Sequence, residues 1–139
     1  MESYKMKTVL TFGSFDHVHE GHLYYLREAK KYGEVLIVVV ARDKTIKEIK
    51  GKAPKYNDEE RVEHVNNIPF VNKVFLGRLD DPYGIILEIR PDVICLGYDQ
   101  NSFTEKLKEE LDKRNLHPKI VRLKPYKEHI YKSSKLKSL

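Results

Sequence analysis

The sequence predicts a doubly wound α/β fold, a parallel sheet of about five strands with helices on both faces. Three observations predict it. Short β-branched runs alternate with segments of helical period along the whole chain. The run Val35-Leu36-Ile37-Val38-Val39-Val40-Ala41 is apolar on both faces, as a central parallel strand is. The 139 residues carry no internal repeat or low-complexity linker, and they suffice for one domain with a sizeable core.

Lys7 to Phe12 reads as the first strand, and Leu23 to Tyr32 as a helix with Leu23, Leu26 and Ala29 on one face. Glu34 to Arg42 is the second strand, and it ends in Arg42-Asp43. Lys44 to Tyr56 is broken by Gly51 and Pro54, so a short helix followed by a loop is expected. Asn57 or Asp58 caps a helix through Asn67, with Glu59 and Glu60 in its first turn. Lys73 to Gly77 is the third strand. Asp81-Pro82 opens a helix through Ile89 with Pro82 at its first position, and Pro91 ends it. Val93 to Leu96 is the fourth strand, followed by Gly97-Tyr98-Asp99-Gln100-Asn101. Ser102 or Thr104 caps a charged helix ending near Asn115, and Pro118 to Leu123 is the last strand. Ser133 begins a basic terminal segment with room for one or two helical turns. Right-handed crossovers place the helices on both faces.

Composition narrows the function classes. No run of about 18 apolar residues is present, so no membrane span is expected. The first residues lack the apolar core of a signal peptide, and the single Cys95 excludes an internal disulfide framework. Both point to the cytoplasm. Cys95 lies in an apolar run, where packing is its expected role. A formal net charge of +5 suits anionic ligands. The high Lys and Glu content is compatible with a thermophile. An aromatic-basic surface run of the kind that binds single strands is missing, so nucleic acid is not an expected partner.

The chain is organised around Thr11-Phe12-Gly13-Ser14-Phe15-Asp16-His17-Val18-His19-Glu20-Gly21-His22. A glycine-bearing turn there joins strand to helix, presenting backbone N–H groups and the positive end of a helix dipole to an anion. His19 and His22 stand three apart at the helix mouth, where both can donate to one phosphate chain. Gly13 and Gly21 allow close approach of ligand and backbone. Two other readings stay open: zinc ligation with Asp16 as a third ligand, and a structural role for both histidines.

The pattern G-[ST]-F-D-x-x-H-x-G-H, met here by Gly13, Phe15, Asp16, His19, Gly21 and His22, resembles the signature of the HxGH nucleotidyltransferase superfamily, the cytidylyltransferase-like enzymes. The resemblance implies a Rossmann-like fold over residues 1–139 as a single nucleotidyltransferase domain. It implies that an ionised acceptor phosphate attacks the α-phosphorus of a nucleoside triphosphate and pyrophosphate leaves. Such a nucleophile needs no general base, so the barrier is charge repulsion and alignment. His19 and His22 are then catalytic, with Lys50 and Lys52 beside Gly51 as the phosphate lysines; the bland reading of the lysines is a solvated face. Thr11 to Asp16 and Gly21 cradle the nucleotide. Arg42 and Asp43 follow the second strand at its ligand end. Arg61 approaches the phosphates or pairs with charges on its helix. Gly97, Tyr98 and Asp99 meet ribose or base, or form a plain turn. Tyr126 is a further nucleotide-side candidate. Ser133 and Ser134 resemble the family's second motif, I-S-[ST]-[ST]-K. No metal ligand is assigned among these residues.

Over most of its length the chain is most similar to the small archaeal-type FAD synthases, in Ala41-Arg42-Asp43, in Pro91 to Gln100 and in Tyr131-Lys132-Ser133-Ser134-Lys135. Lys127 to Lys132 lacks the arginine and glycine typical of cytidylyltransferases at this place. The resemblance implies ATP and FMN as substrates, FAD and pyrophosphate as products, and a divalent cation such as Mg2+. CTP with glycerol 3-phosphate or another small phosphorylated acceptor is the alternative. A nucleotide- or RNA-binding module is the non-enzyme alternative. Relatives are often dimers, so a homodimer is open.

Overall fold

A computed structural model describes residues 6–98, 100 and 104–125. The expectations on Asp99, Ser102, Tyr126, Tyr131, Ser133 and Ser134 lie outside the described residues. Five strands form one parallel sheet: β1 (Thr8–Gly13), β2 (Val35–Val40), β3 (Lys73–Leu76), β4 (Val93–Leu96) and β5 (Lys119–Arg122). Their order is β3-β2-β1-β4-β5, so the winding reverses between β1 and β4. Ligands of open α/β sheets sit at such a reversal, beyond the carboxyl ends of the strands.

The helices are α1 (Glu20–Lys30), α2 (Asp43–Lys50), α3 (Asp58–Asn66), α4 (Gly84–Ile89) and α5 (Leu107–Lys113). Alternate strand residues feed two cores. On one face Val9, Leu36, Val38, Val40, Val93 and Cys95 pack with Leu26 and Ala29 of α1 and Val65 of α3. On the other, Leu10, Ile37, Val39, Ile94 and Leu96 pack with Ile85 and Ile86 of α4 and Leu107 and Leu111 of α5. Apolar burial of this kind contributes about 2 kcal/mol per large side chain. Cys95 is fully buried, and desolvation pushes its thiol up to about 12, which fits a packing role.

Three helix boundaries differ from the sequence reading. Helix α1 runs Glu20–Lys30 rather than Leu23 to Tyr32, which puts His22 in its first turn. Helix α4 starts at Gly84, so Pro82 is not its first residue. Asp81 makes a separate turn: its carbonyl accepts from Gly84 N–H (3.0 Å), its carboxylate accepts from Tyr83 N–H (3.2 Å), and Arg114 grips that carboxylate at 2.9 and 3.0 Å. Thr104 opens a short 3-10 turn (Thr104–Lys106) rather than capping α5. Among the described residues no helix is long and apolar enough to cross a membrane.

Candidate active site

The strand-to-helix turn behaves as its residue types dictate. Phe15 takes a left-handed conformation (φ 50°) and buries its ring, which turns the chain out of the sheet. His19 is the N-cap of α1. Its Nδ1 accepts from Gly21 N–H at 3.0 Å, and its own N–H donates to His22 Nδ1 at 3.3 Å, a reciprocal cap. A Cβ at Gly21 would lie 2.8 Å from the His19 imidazole Cε1, so a larger residue there would make the capping ring shift.

This cap sets the proton positions. Both Nδ1 atoms accept, so a neutral imidazole in either place carries its proton on Nε2. The rings stack with centroids 4.0 Å apart, and the Phe15 ring lies 5.2 Å from His22. Desolvation, then the neighbouring His19, holds His22 down to about 4. His19 is also lowered, by desolvation and then by His17. Two neutral N–H donors thus stand at the mouth of α1. The pair is part of the cap, and the His22 ring also bonds the His17 backbone, which raises its pKa against the desolvation.

Asp16 is turned away from acid–base work. Its Oδ2 accepts from Lys55 N–H and its Oδ1 from Tyr56 N–H, each at 2.8 Å. Desolvation raises its carboxyl, but these two donors, Arg61 and Lys50 outweigh it and hold the pKa below the ordinary value. With both oxygens engaged and both Nδ1 atoms accepting, this donor set does not form the zinc site considered above. Among the described residues no group of three or more His, Cys, Asp or Glu side chains could hold a metal ion.

Arg61 is fully buried, and its guanidinium is saturated. Nε donates to Tyr56 C=O (2.9 Å), Nη1 to Ser14 C=O (2.9 Å) and Ala41 C=O (2.6 Å), and Nη2 to Asp43 (2.7 Å) and Asp58 (3.0 Å). The expected approach to phosphate is therefore corrected. Arg61 braces the turn from behind, because the carbonyl ends of β1 and β2 and the start of α3 converge on it. Asp43 belongs to the same brace. Desolvation raises its carboxyl, and the Arg61 and Asp58 hydrogen bonds lower it further than that. Asp43 and Asp58 also exchange backbone N–H bonds at 2.7 and 3.3 Å. Arg42 donates from Nε to Gly77 C=O at 2.7 Å, tying β2 to β3.

Thr11 is corrected as well. It is fully buried and its hydroxyl donates to Ile37 C=O at 3.3 Å, so its side chain serves the sheet. Lys50 closes α2 near enough to Asp16 and His22 to lower both, and Lys52 lies exposed beyond Gly51.

Across the crevice, β1 pairs with β4 only as far as Thr11 and Cys95, while β1 and β2 continue to Gly13 and Val40. Gln100 closes the gap. Its Nε2 donates to Phe12 C=O (2.6 Å) and its Oε1 accepts from Gly97 N–H (2.8 Å), while Tyr25 O–H beside it donates to Cys95 C=O (2.8 Å). Arg122 then donates to the carbonyls of Gly97 (2.7 Å) and Gln100 (2.9 Å). Tyr98 is exposed beside this turn. Sequence reading missed Arg122, Tyr25 and Asp58 as site builders, and had Gln100 only as part of the Gly97 to Gln100 turn.

The concavity of about 200 Å³ lined by Arg90, Asp92, Leu116, His117 and Pro118 lies at the opposite, amino-terminal ends of β4 and β5. It is far from the histidines and lacks a helix N-terminus, so the chemistry is assigned to the strand ends.

A family model described as Cytidylyltransferase-like matches residues 10–138. A curated protein named FAD synthase from Archaeoglobus fulgidus is 48% identical over 112 residues, 81% of this chain and 80% of that relative. Another of the same name, from Archaeoglobus profundus, is 45% identical over 129 residues, 93% of this chain and 82% of the relative. A crystal structure named as a lipopolysaccharide core biosynthesis protein from Thermoplasma volcanium aligns with TM-score 0.82 at 38% identity, covering 88% of this chain and 99% of that one. The chain therefore belongs to the cytidylyltransferase-like family, alongside proteins named FAD synthase.

Proposed function

We propose that this protein is an FMN adenylyltransferase: the FMN phosphate attacks the α-phosphorus of ATP, FAD forms, and pyrophosphate leaves. The observation that carries the reading is the stacked His19–His22 pair that caps the N-terminus of α1, on the β1–β4 reversal. The relatives' name supplies the acceptor. Charge develops on the transferring phosphoryl oxygens, and fixed neutral donors in a helix mouth meet it without reorganisation. Lys50 and Lys52 offset the triphosphate charge from the α2 side. The AMP crosses the strand ends from the histidines to Gly97, with Asp99, Tyr126, Ser133 and Ser134 as further contacts. Tyr98 borders the flavin. The divalent cation enters on the ATP triphosphate as part of the substrate. The chain acts as one domain in the cytoplasm, and a homodimer is compatible with this site.

The test supplies purified protein with MgATP or MgCTP and with FMN or glycerol 3-phosphate. The flavin is resolved by chromatography and pyrophosphate is measured. FAD from ATP but not from CTP is the expected result. CDP-glycerol formation without FAD under any divalent cation would reject the reading.

A further inference from the structure

The loop between α2 and α3, residues 51–57, carries Lys52 and Lys55 and follows Lys50. Its two ends are held differently. At the start, Gly51 is the left-handed C-cap of α2 (φ 80°), with nothing within 4 Å of where a Cβ would stand. The hinge end is therefore open. At the far end Asp16 takes two consecutive backbone N–H groups, Lys55 and Tyr56, on its two oxygens at 2.8 Å each. Arg61 takes the Tyr56 carbonyl at 2.9 Å and the Ser14 carbonyl at 2.9 Å. One peptide segment is thus gripped on its N–H side by the histidine turn and on its C=O side by an arginine bound to that same turn.

We propose that Asp16 is a positioning residue, a latch that holds the lysine-bearing loop 51–57 against the mouth of α1. Asp16 does not touch the reacting atoms. It fixes the distance between the lysines of the loop and the phosphates that His19 and His22 contact. A side chain that merely ended a turn would bond the N–H groups of its own turn. Asp16 instead reaches a segment 39 and 40 residues away. The Lys55 bond is exposed and the Tyr56 bond half-buried, so residues 52–55 can move out on Gly51 when they break, while Arg61 still holds the Tyr56 carbonyl. What the lysines meet rests on the phosphate-transfer reading above; the latch itself does not.

The experiment is limited trypsin digestion of wild-type and Asp16→Asn protein, with fragments identified by mass. Cleavage after Lys52 and Lys55 is compared in the presence and absence of MgATP. An amide at position 16 keeps one acceptor and loses the charge, so cleavage at these two bonds should rise at least tenfold. The KM for ATP should rise more than kcat falls, and the unfolding midpoint should stay near wild type. Native-state amide exchange on the unmodified protein is a second measurement, independent of how the variant folds. Lys55 and Tyr56 amides should exchange at least tenfold more slowly, after correction for intrinsic rates, than those of Lys52 and Ala53. Equal exchange of the four amides, or equal cleavage of variant and wild type, overturns the latch. Faster cleavage of the variant, alongside a wild-type protein that shows neither turnover nor protection by MgATP, supports the latch and rejects the adenylyltransferase reading.

Discussion

The His22 imidazole stacks on that of His19 with ring centroids 4.0 Å apart and accepts the His19 N–H on Nδ1. Each histidine therefore does two things with two nitrogens. Nδ1 completes the helix cap, and Nε2–H is the donor proposed for the phosphates. The two roles separate by mutation. His19→Asn keeps an N-cap acceptor and loses the ring donor. His22→Ala loses its donor together with the Nδ1 that accepts the His19 N–H. Each should lower kcat about a hundredfold, near 3 kcal/mol, while the KM for ATP moves only a few-fold. His19→Ala should also lower stability by about 1 kcal/mol, because the cap goes with the ring. Steady-state kinetics beside urea unfolding checks both. Wild-type turnover in His19→Asn and His22→Ala would remove these residues from the chemistry.

The depressed histidines set a pH dependence with a definite sign. His22 is held down to about 4, against an ordinary value of 6.5. Between those values the unfolded chain binds a proton that the folded chain refuses, so stability falls as pH drops through this window and is undiminished above it. The full difference corresponds to about 3 kcal/mol, and His19 adds to it in the same direction. Asp16, also lowered, acts only at more acidic pH. Urea midpoints at pH 7.5 and pH 4.5 should differ accordingly. His22→Phe should lose less over the same interval, because it has no imidazole to titrate. An identical loss in both proteins would show that other groups control the acid limb.

Gln100 fills the point where β1 and β4 part. Replacing it with leucine keeps the volume and leaves Phe12 C=O and Gly97 N–H without their amide partner, a cost of about 1–3 kcal/mol. The two strand ends frame the nucleotide crevice, so the KM for ATP should rise about tenfold while the histidines still act on bound substrate. Kinetics that change kcat alone would remove Gln100 from the binding wall.

The sheet was legible because each strand advertises itself twice, by β-branched residues and by the turn that follows. The histidine turn was legible because its residue types and spacing are chemical. The brace was not. Arg61 reads in sequence as one charge among Asp58, Glu59 and Glu60 on a helix surface. Its burial follows from tertiary convergence, where the carbonyls of Ser14, Ala41 and Tyr56 point to one place. No local period encodes that. Pro82 misled for a related reason: the grip of Arg114 on Asp81 creates a turn ahead of α4, and the two residues are 33 apart in sequence.

The brace gives the largest expected loss from a single substitution. Arg61 is the one buried cation among the described residues, and it makes five hydrogen bonds from one planar group. Lysine has three donors on a single nitrogen and cannot reproduce the fork. Arg61→Lys should therefore lose stability by about 2 kcal/mol, and Arg61→Ala, which leaves three carbonyls and two carboxylates without their donor, by about 3 kcal/mol or more. The loss has a site-specific part. Ser14 and Tyr56 are held by the same guanidinium, so activity in Arg61→Lys should fall at temperatures where the protein is still folded. Circular dichroism melts and turnover, taken on one preparation well below the midpoint, separate the two effects. A variant that melts early but shows wild-type turnover when folded would confine Arg61 to stability. A variant with wild-type stability would mean that the carbonyls it holds find other donors.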